Sequence, residues 1–100
     1  MSEVGRSPSL TDDQKKFFEL LAMVPFLERF WDTKMLDFHE HEMDRANELR
    51  SPGEVIMGSF FACVWKGHSD FRFDIFEAVG LLDEPNLKII KQWVNDPFWP

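Results

Sequence analysis

Apolar positions recur at three- and four-residue intervals along most of this chain, and the intervals predict helices separated by proline, glycine and short polar stretches. Phe17, Leu20, Leu21 and Val24 make the first stripe, the face of one helix. Thr11 and Gln14 have the spacing of a capping box, and Asp12 and Asp13 suit the positive end of the helix dipole, so this helix is expected from Thr11 toward Val24. Pro25 lacks an amide donor and ends or bends it. Phe26, Leu27, Phe30 and Trp31 then resume the pattern, with Pro25 suited to a first helical position, and a second helix fades between Asp32 and Phe38. From Glu40 to Leu49 the stripe thins to Met43, Ala46 and Leu49, which predicts a short surface helix.

Ser51-Pro52-Gly53-Glu54 is the clearest local signal: a serine cap, proline at the first helical position and glutamate at the third. The helix it starts is apolar at nearly every position from Val55 to Trp65, so protein should surround most of it. The small residues Gly58, Ala62 and Cys63 would let a neighbouring helix approach, and Lys66 and Gly67 suit its end. From Asp70 to Gly80 the pattern fits a short strand through Phe71, Phe73 and Ile75, or a helix through Phe73, Phe76 and Val79 ended by Gly80. With no second strand to pair with, helix is the better reading. Asp83 caps a last helix with Leu87, Ile90, Trp93 and Val94 as its apolar face, and Pro97 to Pro100 is too apolar to float free and should fold back on the body or on a partner. The expected fold is all-α: a single compact domain of four to five short helices around a central apolar helix, residues 11–100, behind a flexible leader, residues 1–10.

Composition turns this outline toward surfaces. The 100 residues include eleven Phe and four Trp but no Tyr. Fully burying one Phe stabilises by about 1.5–3 kcal/mol, and a small helical domain has few fully internal positions. Some rings are therefore expected at a groove or an interface. Eighteen acids against eleven bases give a net charge of −7, a field that repels phosphate backbones and anionic lipid and complements a basic partner. Cys63 is the only cysteine, which excludes an internal disulfide; its apolar neighbours predict burial. The first residues lack the apolar run of a signal peptide and no apolar stretch reaches eighteen residues, so no membrane association and a cytoplasmic location are expected.

No catalytic motif, phosphate loop or cofactor motif stands out. Asp37, His39, Glu40, His41, Glu42, Asp44 and Glu48 form the one cluster with the residue types of a metal site, and on a helix Asp37, Glu40, His41 and Asp44 would share a face. His39 and His41 are two apart, which is not the spacing of a zinc helix, so a solvated acidic face is expected and no metal. His68 beside Ser69 and Asp70 is read as a cap for the following segment, since a catalytic triad is assembled in space and not along the chain. Phe71 to Val94 has the outline of a helix-turn-helix, but its second helix opens with Asp83 and Glu84 and offers only Lys88, Lys91 and Gln92, a poor match to nucleic acid. Rings beside acids point elsewhere, to a basic protein partner: Trp31 with Glu28 and Asp32, and Trp99 with Asp96.

The function these readings favour is a non-enzymatic, cofactor-free, acidic protein-binding protein of adaptor, chaperone, immunity or inhibitor type. Its expected surface is an aromatic centre at Phe98 and Trp99, with Trp31, rimmed by Asp37, Glu40, Asp44 and Glu48. A homodimer is a further way to hide surplus rings. The alternatives are a helix-turn-helix regulator and a divalent-metal binder using Asp37 to Glu48.

Overall fold

The computed structural model describes residues 10–68 and 73–100, and the fold is all-α with one small hairpin. Helix α1 spans Asp12–Leu21 and opens with the expected reciprocal capping box between Thr11 and Gln14. After Val24 the chain runs as a single 3-10 helix, Pro25–Phe30, where the sequence pattern predicts an α-helix. It then turns through a hairpin of two-residue strands, β1 Trp31–Asp32 and β2 Asp37–Phe38, paired antiparallel with Trp31 opposite Phe38. This hairpin replaces the fading helix. Its turn is held by the Asp32 carboxylate, whose Oδ1 accepts from the amides of Lys34 at 2.8 Å and Met35 at 3.1 Å, and the Trp31 and Phe38 rings stack at 4.4 Å.

Helix α2 follows over Glu40–Asn47, and α3 over Pro52–Lys66. The signals that predict α3 are the ones that build it: Ser51 and Glu54 cap each other, Pro52 sits in the first turn and Gly67 ends the helix at φ 76°. Ile56, Met57, Gly58, Phe60, Phe61, Ala62 and Val64 are all buried, so α3 is the centre of the core. Gly58 lets α2 and the 3-10 helix close on it: a Cβ there would lie 3.2 Å from the Met43 sulfur and 3.6 Å from Leu27 Cδ2.

Helix α4 spans Ile75–Leu81, capped by Asp74, and α5 spans Glu84–Asn95, capped by Asp83. The helical reading of this region holds from Ile75 onward, whereas residues 69–72, with Phe71, Ser69 and Asp70, lie outside the described residues, as does the leader except for Leu10. Gly80 lies inside α4 and not at its end, because the helix continues to Leu81 and Leu82 is its cap. The terminal segment folds back as expected. Phe98 is buried, its carbonyl accepts from Trp93 Nε1 at 3.1 Å, and the Trp99 amide donates to Asp13 on α1 at 3.2 Å.

All buried side chains among the described residues are apolar, and they form one continuous cluster from Phe17 on α1 to Phe98. Much of it is aromatic: Phe17 meets Phe18, Trp31, Phe61 and Trp65 with ring centroids 5.0–5.6 Å apart, the separation at which tilted and edge-on rings attract.

Candidate functional site

The core takes in more rings than composition alone suggests. Among the described aromatic residues all but Phe76 and Trp99 are buried or half-buried. Two of the residues expected at a docking surface are therefore corrected: Trp31 is 6% exposed, stacked on Phe38 and tilted against Phe17 of α1, and Phe98 is 7% exposed. Trp99 remains outside at 59%, its ring edge-on to Trp93 at 5.1 Å.

Ile75, Phe76, Val79 and Leu81 are all exposed on α4, whereas Met23, Met35, Leu36 and Leu49 are exposed on other segments of the chain. A helix turns about 100° per residue, so the burial of Ala78 against the body points Phe76 outward, and Phe76 is 86% exposed. Ile75 and Val79 flank it on one side, 45% and 62% exposed, and Glu77 lies on the other. Two grooves border this ridge. On the Ile75 side lies an apolar groove of about 370 Å³, whose walls include Cys63, Trp93, Val94 and Trp99. Cys63 is half-buried on this wall and not sealed in the core. On the Glu77 side lies a groove of about 540 Å³ with Met43, Ile56 and Phe73 in its floor and carboxylates on both rims: Glu40 and Asp44 one turn apart on α2, Asp74 and Glu77 from the start of α4. Phe73 belongs to both grooves.

Of the acidic cluster read from the sequence, the structure brings Glu40 and Asp44 to this groove and leaves the rest outside it. Asp37 is on β2 and does not share the α2 face, and Glu48, exposed, caps the far end of α2. His39 precedes α2, its Nδ1 lying 3.6 Å from a Glu42 carboxylate oxygen. No group of three or more His, Cys, Asp or Glu is gathered closely enough to hold a metal ion among the described residues. Asp74 and Glu77 join the groove from α4, which sequence reading missed because only the fold sets α4 beside α2. Asp74 also has a structural task, since its Oδ1 accepts from the amides of Phe76 at 2.8 Å and Glu77 at 3.4 Å.

Two carboxyls are held below the usual range, and both causes are structural. The Asp32 acid is lowered by the Met35 and Lys34 amides of the hairpin turn, and Glu54 by the Ser51 amide of the α3 cap. In the region outlined as a helix-turn-helix, α5 carries Lys88, Lys91 and Gln92 on its outer side, and Lys91 Nζ lies 3.9 Å from the Glu84 carboxylate at the start of the same helix. No helix among the described residues is long and apolar enough to cross a membrane.

Comparison of the chain with protein-family models, with curated proteins and with solved structures finds no match. The functional reading therefore rests on this surface.

Proposed function

We propose that the chain is a non-catalytic, acidic protein-binding protein whose docking surface is the outer face of α4. The observation that carries this reading is the exposure of Ile75, Phe76 and Val79 side by side on one short helix, in a protein whose described rings, Phe76 and Trp99 apart, are buried or half-buried. Apolar side chains clustered in water cost free energy that a partner relieves, at about 25 cal/mol for each Å² covered. Phe76 has the character of an interface anchor: a large ring standing on a helix, flanked on one side by the smaller apolar Ile75 and Val79.

The carboxylates beside it give the surface a sign. Glu40, Asp44, Asp74 and Glu77 stand along one flank, with no Lys, Arg or His among the described residues of that groove, and the whole chain carries −7. A basic partner is steered toward such a flank and an acidic one is repelled. The assignment of the surface to α4 modifies the sequence-based one, retaining Trp99, Glu40 and Asp44 at its edges and releasing Trp31 and Phe98 to the core.

Affinity capture from the cells that make the protein tests the reading. The wild type and a control altered at exposed α5 positions, Lys88→Ser with Gln92→Ser, should retain the same partner. Phe76→Ser with Val79→Ser should lose it while keeping the native helical spectrum. Equal retention by all three would remove α4 from the binding surface.

A further inference from the structure

The α4 surface also constrains the form of what covers it, and we infer that its occupant is a basic amphipathic helix of a partner protein, laid along Phe76 with its cationic flank over Glu77. The inference rests on the docking reading above. Its first support is backbone chemistry. Along the crest of α4 the Phe76 amide is taken by the Asp74 carboxylate and the ladder closes from Ala78 to Leu82, so the groups left over are the carbonyls of the last turn, which point along the helix axis and not out from the crest. A segment pressed against Phe76, Ile75 and Val79 must therefore satisfy its own backbone once water leaves, and a helix does so internally whereas an extended strand does not. Among the described residues the strands are two residues long, β1 and β2, and they pair with each other, so strand addition has no template at this face.

The second support is charge. Around α4 the order is an apolar groove, Ile75, Phe76, Glu77, then the acid-rimmed groove. An occupant with leucine-like residues at three- and four-residue spacing and Lys or Arg along one border matches that order group for group, each long cation reaching over its own apolar neighbour. A second copy of this chain matches it poorly, since it would bring another −7 charge to the same surface. The chain's own residues 1–9 are Met-Ser-Glu-Val-Gly-Arg-Ser-Pro-Ser, with two large apolar side chains, one cation and a proline near the end, too little to build that stripe.

The test is a titration of the full, isotope-labelled chain, followed by amide NMR, with three synthetic 14-residue peptides. One carries Leu at helical spacing with Lys elsewhere; the second has the same composition in strict Leu–Lys alternation; the third has the helical pattern with Glu in place of Lys. The helical lysine peptide should move the amides of Ile75–Leu81 and of Glu40 and Asp44 and bind at least about tenfold more tightly than either of the others. Phe76→Ser should weaken it by a similar factor, with Val79→Ser as a second variant should the first fail to fold. Equal binding of the alternating peptide at α4 would overturn the helical form, and equal binding of the glutamate peptide would overturn the basic character; both leave the docking face standing. No movement of α4 by any peptide would overturn the inference, and the capture experiment would then decide the docking reading separately. Concentration-dependent movement of α4 amides without peptide would assign the face to a second copy and overturn it as well.

Discussion

Phe61 and Phe76 show how differently one residue type serves this protein. Phe61 is fully buried on α3, edge-on to Phe17 at 5.6 Å and to Phe60 at 5.3 Å, whereas Phe76 is 86% exposed on α4. Removing the first ring leaves a cavity among side chains that cannot fully collapse, so Phe61→Ala should cost about 3–5 kcal/mol in urea unfolding. Phe76→Ser should stay within about 0.5 kcal/mol of wild type, as exposed substitutions do. A large loss at Phe76 would mean that the ring belongs to the core. Which rings fall on which side was not legible in the sequence. Phe98 sits between prolines in a terminal segment, where no periodicity marks burial, and Phe76 sits at a helical spacing from Phe73 that suggests a shared inner face. Phe73 precedes the helix and Ala78 faces the body instead, and this turns Phe76 outward.

Titration adds a second residue-scale expectation. Asp32 and Glu54 are acids whose folded values lie below their unfolded ones because backbone amides donate to the charged forms. Their contribution to stability is complete above the unfolded carboxylate range, about pH 4, and is lost as pH falls through the lower folded values. Asp32→Asn and Glu54→Gln, which keep an acceptor oxygen but cannot titrate, should each flatten the decline of stability as pH falls below about 4. An unchanged acid limb in both variants would show that these contacts do not persist in solution.

At the scale of elements, what was legible was local chemistry. The capping boxes at Thr11 and Ser51, the Asp83 cap and the glycine end of α3 are each written within four consecutive residues, and each appears where expected. The hairpin was not legible, since two-residue strands carry no alternation and their pairing depends on Asp32 folding the turn and on Trp31 meeting Phe38. Gly80 was misplaced because a glycine near the end of a short helix reads the same whether it ends the helix or lies one residue inside. The two glycines make opposite predictions. Gly67 adopts a left-handed φ of 76°, so Gly67→Ala should destabilise by about 1 kcal/mol. Gly80 has helical neighbours and open space where a Cβ would go, so Gly80→Ala should stabilise by about 0.4–1 kcal/mol. Thermal or urea unfolding of the pair checks both signs, and a destabilising Gly80→Ala would contradict the helix boundary at Leu81.

The whole molecule joins a core that absorbs most of its aromatics to one short helix that does not bury its outer side. An excess of rings and acids was readable from composition; the place where they meet was not, because Asp74 and Glu77 reach Glu40 and Asp44 only through the packing of α2 and α4 around α3. If the acidic flank steers a basic partner, the association rate should fall about tenfold or more between low salt and 0.5 M salt, while dissociation changes little. A rate indifferent to ionic strength would leave the carboxylates a solubilising role alone.

If α4 is the docking face, its crest is covered by a partner when the protein is at work. A photo-crosslinking phenylalanine analogue that keeps the ring, placed at position 76, and in a parallel sample at position 88 on the exposed side of α5, measures this in the cells that make the protein. One discrete adduct is expected from position 76, lost when Val79→Ser is added, and none from position 88. Diffuse or equal labelling from both positions would contradict it.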